Sequence, residues 1–155
     1  MAYKAIDVAN WFIHRAAEFG DATTHLKVQK LLYFAQAWSL TLHEKELFSE
    51  DMEAWAHGPV VPELFHHFKE HGWNALPVPT DEDLVKFDGE AADVLEQVLN
   101  TYGEYSAKRL EALTHKDNPW IEARGDCAPE ARCSTVMSKE RIKHFFAQKY
   151  MTDGK

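Results

Sequence analysis

The sequence predicts a mainly α-helical fold, α+β at most: a compact single-domain bundle of about six helices with at most a short β-hairpin. Apolar residues recur at steps of three and four along most of the chain, which is the pattern of amphipathic helices. Capping residues and glycines flank these stretches. With 155 residues, 45% of them apolar, the chain suits one domain with one core. We expect residues 4–150 of the full span 1–155 to be ordered.

The first two predicted helices precede any turn-rich segment. Helix one runs from about Lys4 to Phe19 and stops at Gly20. Helix two is capped by Thr23 or Thr24 and ends near His43. Its buried stripe is predicted to consist of Val28, Leu31, Ala35, Trp38 and Leu42.

A short strand and a third helix follow. Apolar and polar residues alternate from Met52 to Trp55, as in a strand, and the Gly58-Pro59 corner is expected to stop it. Pro62 suits the first turn of helix three, and Gly72 provides its exit. If a hairpin forms, we expect it to join the Met52 and Cys133 regions.

The second half is predicted to be helical after a connecting loop over residues 73–87. Asp88 caps a helix that stops at Gly103, and Ser106 caps the next one. Asn118 is read as a fresh cap before a first-turn proline, Pro119. After a loop over residues 125–132, Ser138 caps the last helix, and the tail from Met151 is expected to fray.

Charge and composition exclude several classes of protein. A net charge of -8 disfavours nucleic-acid binding, because phosphate contacts need clustered Lys and Arg. The start of the chain lacks a secretory signal, and no stretch approaches a membrane span. The five-residue gap between Cys127 and Cys133 matches neither a zinc knuckle nor a redox pair. We therefore treat both as ordinary thiols and expect a cytoplasmic protein.

One segment matches a catalytic metal pattern. His67, Glu70 and His71 fit H-x-x-E-H, which would place two imidazoles one helical turn apart beside a glutamate. A third ligand is not visible, and Gly72 ends the helix at this point, so we favour a solvated helix face. Nucleophile-elbow and phosphate-loop motifs are absent from the sequence. We predict no catalytic residue, no metal and no cofactor, with a metal-dependent hydrolase kept as an alternative.

Three ordered motifs carry a family resemblance. They are K-x-Q-K-L-L-Y-F-A-Q from Lys27, A-W-x-x-G-P-V-x-P from Ala54, and S-x-x-x-L-x-x-x-T-H-x-x-x-P-W from Ser106. In these motifs the chain resembles the Panacea antitoxin domain family, which includes GepA-like and SocA-like proteins. The resemblance implies a cytosolic antitoxin that neutralises a cognate toxin by direct protein contact. It further implies a toxin encoded by an adjacent gene, on a mobile element or prophage. One branch of the family delivers its toxin to a protease, so a proteolytic adaptor remains an alternative.

We expect the partner to bind the second helix and the Gly-Pro corner. The spacing predicts an exposed flank on this helix beside its buried stripe, and interface anchors are enriched in Trp, Tyr and Arg. For Tyr33 and Trp55 an interface role and a core role both stay open. The predicted partner-binding residues are Gln29, Lys30, Tyr33, Gln36, Trp55, His57, Gly58 and Pro59. The predicted structural residues are Trp38, Ser106, Thr114, His115, Pro119 and Trp120.

Overall fold

A computed structural model describes residues 2–128, 131 and 133–150. This part of the chain contains seven α-helices and a two-stranded antiparallel sheet, which confirms the predicted fold class. The elements are α1 (Ala5–Glu18), α2 (His25–His43), β1 (Glu53–Trp55), β2 (Gly58–Val60), α3 (Pro62–Phe68), α4 (Gly89–Tyr102), α5 (Ala107–His115), α6 (Asn118–Arg124) and α7 (Lys139–Tyr150). None of the described helices has the length and apolar character needed to cross a membrane. The predicted tail from Met151 lies outside the described residues.

The helix starts follow the capping residues that the sequence offers. A side-chain oxygen accepts the backbone N–H three residues further on at four predicted caps: Thr24, Asp88, Ser106 and Ser138. Such bonds satisfy N–H groups that the first helical turn cannot. The prediction for α6 was off by one residue, because Asp117 is its N-cap and Asn118 is already helical.

Helix α2 is the central element of the bundle. It packs against α1, α4, α5 and α7 and against β2. Val28, Leu31 and Ala35 are buried as predicted, whereas Leu42 at the end of the stripe is 37% exposed. Because neighbours surround α2 on nearly every side, it has no long solvent-facing flank.

The hairpin exists, but its main partner strand differs from the prediction. Strand β1 pairs with β2 around a two-residue turn, with Trp55 opposite Gly58 and Ala54 opposite Pro59. The Cys133 region contributes only a bridge from Val136 to Glu53 on the other edge of β1. The Gly-Pro corner therefore begins the second strand instead of ending the first. Pro59 is tolerated because its nitrogen faces away from β1, where no ladder hydrogen bond is required.

The two cysteines are joined, so the expectation of ordinary thiols was wrong. Cys127 and Cys133 form a disulfide with their Cα atoms 6.2 Å apart, within the usual range. The link lies next to Arg124, whose guanidinium donates to Ala54 O at 3.2 Å and to Ala128 O. Arg124 thereby holds the segment after α6 against β1.

Candidate functional site

The polar residues of α2 that were predicted to face a partner are buried. Gln29, Lys30, Tyr33 and Gln36 are at most 2% exposed. The exposed flank expected from the sequence is therefore wrong. These four side chains form a polar spine along α2. Gln29 and Lys30 both bond the segment 59–61, whereas Tyr33 and Gln36 each bond a different loop.

Gln29 pairs with the backbone of the residue that follows β2. Val61 N donates to Gln29 Oε1 at 2.9 Å, and Gln29 Nε2 donates to Val61 O at 3.3 Å. His25 Nε2 lies 3.0 Å from Gln29 Nε2, and since the amide nitrogen donates, the ring nitrogen accepts. Burial lowers the pKa of His25 to about 4, so the ring is neutral at physiological pH. The side-chain amide of Gln29 thus makes the two backbone hydrogen bonds with Val61 that a neighbouring strand would otherwise make.

Lys30 is fully buried beside the Gly-Pro corner. Its Nζ donates to Pro59 O at 3.1 Å. Burial lowers the pKa of Lys30 to about 7, and the negative charge of Glu111 opposes this shift. The ammonium therefore fixes the corner at an energetic cost that depends on pH.

The other half of the polar spine holds two distant loops. Tyr33 Oη donates to Asp117 Oδ2 at 2.9 Å, while Gln36 Oε1 accepts from Leu47 N at 2.7 Å and Gln36 Nε2 donates to Phe48 O at 2.9 Å. Burial raises the pKa of Asp117 to about 6, and the Tyr33 hydrogen bond opposes the rise. These contacts are structural, since they leave the two side chains buried and occupied.

Gly58 is required by both its backbone and its surroundings. Its φ is +107°, and a Cβ built there would lie 2.8 Å from Thr114 Oγ1 and 2.9 Å from Lys30 Cε. Both Gly58 and Pro59 are buried, so they shape the corner and are not surface contacts.

The variant Gly58→Ala is expected to lower the free energy of unfolding by about 2 kcal/mol, because it adds backbone strain and overpacking at the corner. Chemical denaturation measures the change. Gly89→Ala is the matched control, since Gly89 opens α4 with no atom within 4 Å of the added Cβ. Equal stability of the two variants would contradict the structural role of Gly58.

A cleft of about 520 Å³ opens beside the corner, between the start of α2, the hairpin turn and α3. Ligand-binding clefts commonly have volumes of this order. Trp73 at its edge is 78% exposed, the most exposed of the large apolar side chains in the described chain. The lining residues are His25, Leu26, Gln29, Trp55, Ala56, His57, Val60, Phe65, Lys69, Gly72 and Trp73.

Two predicted partner-binding residues form one wall of the cleft. The ring of Trp55 packs against Phe65 with 5.0 Å between centroids, and its Nε1 donates to Glu53 Oε1 at 2.9 Å. His57 is exposed at the hairpin turn, with Nδ1 lying 3.1 Å from Glu111 Oε2. Of the eight predicted residues, Gln29, Trp55 and His57 reach the cleft.

The third motif supports this wall from behind. The ring of His115 stacks on Trp120 at 4.2 Å, and Trp120 Nε1 donates to Trp55 O at 2.9 Å. Thr114 is buried against Gly58. Pro119 is buried in α6, and Trp38 donates from Nε1 to Tyr102 Oη at 3.2 Å. These contacts are of the kind that the structural roles proposed for these five residues and for the Ser106 cap require.

The H-x-x-E-H residues do not converge. Helix α3 ends at Phe68, so Glu70 and His71 lie in a 3-10 turn, where His71 Nε2 is 4.0 Å from Glu70 Oε1. Among the described residues, the group whose potential ligand atoms all lie within 4.8 Å of one another is His14, Glu18 and Asp81. Its carboxylates are exposed, and Glu18 pairs with Arg15 at 2.9 Å, as in an ordinary surface ion-pair cluster.

The second wall of the cleft was not predicted. Trp73 was placed at the start of the connecting loop over residues 73–87, yet it lines the cleft together with Phe65. A large aromatic residue directly after the Gly72 turn was the available signal, because exposed Trp is uncommon without a function.

Comparisons with known proteins cover this whole region. The family model described as "Antitoxin SocA-like, Panacea domain" matches residues 28–121, which include all the predicted site residues. The chain is 30% identical over 131 residues to a protein named Antitoxin SocA from Caulobacter vibrioides (strain NA1000 / CB15N). That similarity covers 73% of this chain and 66% of the relative, slightly under two thirds of its length. No solved structure matches the chain.

Proposed function

The chain belongs to the SocA-like antitoxin family defined by the Panacea domain, and from this premise we propose that it neutralises a cognate protein toxin by direct contact. The toxin is encoded by an adjacent gene, on a mobile element or prophage. The protein acts in the cytoplasm as a binding module and makes or breaks no covalent bond.

The observation that carries the proposal is the apolar cleft beside the hairpin. All of its lining residues except His25 and Leu26 lie in the family-matched segment, and Trp73 at its edge exposes 78% of its surface to solvent. Exposed aromatic residues around a concave apolar surface are typical of protein-binding sites. The buried polar spine supports this surface from below through Gln29 and Lys30. We therefore place the toxin on the cleft.

The first experiment is co-expression of the full chain with the product of the adjacent gene. We expect restored growth and co-purification of the two proteins. A partner that stays toxic and does not co-purify would refute the proposal. The half-life of the toxin separates two mechanisms, since a blocking antitoxin leaves it unchanged or longer, whereas a protease adaptor shortens it.

The variant Trp73→Ala tests the position of the toxin. We expect toxin binding to weaken by about 2 kcal/mol or more, the usual cost of removing an aromatic hot spot. The melting temperature should stay close to that of the unaltered chain, because the side chain is 78% exposed. Val78→Ala is the matched control, since Val78 is 53% exposed and lies outside the cleft. Equal binding by both variants would place the toxin elsewhere.

A further inference from the structure

The outer edge of the hairpin strand β2 offers no free backbone group for strand addition. Pro59 has no N–H, and its carbonyl accepts from Lys30 at 3.1 Å. The N–H and C=O of the next outward residue, Val61, are both taken by Gln29. The polar spine has therefore closed this edge with side chains of α2.

The outer edge of β1 is closed as well. Ala54 N donates to Thr135 O at 2.9 Å, and Met137 N donates to Met52 O at 2.8 Å. Peptide partners commonly add a strand to a free sheet edge or insert side chains into a groove. With both edges occupied in the described residues, a partner on this surface has to use side chains.

The charges around the cleft differ from those of the whole chain. The chain carries 25 acidic and 17 basic residues, yet none of the described carboxylates lines the cleft. Lys69 is an exposed basic residue of the lining and makes no ion pair within the described residues. His57 is held beside Glu111, and the remaining lining is mostly apolar and aromatic. The cleft is thus an acid-free, weakly basic surface on an acidic protein.

We propose that the cleft binds a segment of the toxin in which a large apolar or aromatic side chain is followed closely by a carboxylate. The apolar side chain packs between Trp55, Phe65 and Trp73, and the carboxylate pairs with Lys69. The proposal rests on the proposed function for the identity of the partner. The chemistry of the segment follows from the cleft alone.

A peptide selection tests this chemistry without the toxin. The full chain is immobilised and panned against a displayed library of random peptides of roughly 12 residues, long enough to fill such a groove. Clones that also bind the Trp73→Asp variant are removed. We expect the enriched peptides to share a large apolar residue with Asp or Glu nearby. Enrichment of basic peptides, or of none that depends on Trp73, would overturn the proposal.

A double-mutant cycle then tests the pairing with Lys69. Fluorescence anisotropy is used to compare an enriched peptide with its Asp→Asn or Glu→Gln form, on the unaltered chain and on Lys69→Glu. Removing the acid should weaken binding about fivefold on the unaltered chain and should not weaken it on Lys69→Glu. Lys86→Glu is the matched control for charge, since Lys86 is exposed and lies outside the cleft. Equal losses on Lys69→Glu and the unaltered chain would overturn the pairing.

Failure of this inference can be told apart from failure of the proposed function. Growth rescue together with basic peptides would keep the antitoxin function and overturn the cleft chemistry. Selection of acidic, apolar peptides without rescue of growth would support the cleft chemistry and refute the toxin as the occupant of the cleft.

Native mass spectrometry of the purified chain provides one more outcome. A bound small molecule that is lost in Trp73→Asp would overturn a protein occupant.

Discussion

The variant Tyr33→Ala should be strongly destabilised. We expect the free energy of unfolding to fall by about 4 kcal/mol, within the range for truncating a large buried side chain. The ring is fully buried and packs against Phe34 and Phe146, with centroids 5.2 and 5.8 Å away. The hydroxyl is also the donor to buried Asp117. Since domains are commonly stable by only about 5–15 kcal/mol, a loss of this size is severe.

Tyr33→Phe is the matched control for this experiment. It keeps the ring and removes only the hydrogen bond to Asp117, so we expect a loss of about 1–2 kcal/mol. Urea denaturation followed by circular dichroism gives both values. An unchanged transition in Tyr33→Ala, combined with weaker toxin binding, would return Tyr33 to the surface that the sequence predicted.

The sequence could predict the helices but not the burial of α2. Helix boundaries depend on neighbouring residues, and Thr24, Asp88 and Ser106 act as caps whatever surrounds them. The polar residues at positions 29, 30, 33 and 36 look like a solvent-facing flank by spacing alone. Apart from His25, their partners lie between 11 and 84 residues away in sequence, at Leu47 and Asp117 for example. Only tertiary structure shows that these side chains are satisfied internally.

The second strand of the hairpin and the cleft were missed for related reasons. Gly58-Pro59 was read as a strand stop because proline cannot donate a ladder hydrogen bond. Pro59 occupies the one register position where no donor is needed. The cleft depends on the turn over 69–72, which brings Trp73 back towards Trp55 and Phe65. A helical pattern ending at Phe68 carries no information on where the chain goes next.

Stability should rise as the pH is raised above neutrality, because of Lys30. The pKa of Lys30 is about 7 in the folded chain, below its ordinary value of 10.5. Between these two values the unfolded chain binds more protons than the folded chain, so the free energy of unfolding increases with pH. From about pH 7 to about pH 9.5 this group alone should add about 3 kcal/mol. Urea titrations at several pH values measure the slope.

The variant Lys30→Met should remove most of the rise in the free energy of unfolding between about pH 7 and about pH 9.5. The variant keeps an apolar stem of similar length but has no ammonium to deprotonate, although Pro59 O loses its donor. Lys86→Met is the control, because it removes an exposed ammonium and should leave the slope in place. Tyr33 limits the pH range in which this slope can be measured. Burial raises its pKa in the folded chain, so above about pH 10 Tyr33 ionises only in the unfolded chain, and the free energy of unfolding then falls with pH. Burial also lowers the pKa of Lys27, so a small slope should remain in Lys30→Met. A slope as steep as that of the unaltered chain would mean that Lys30 is solvated, and the closed strand edge at Pro59 would then lose its support.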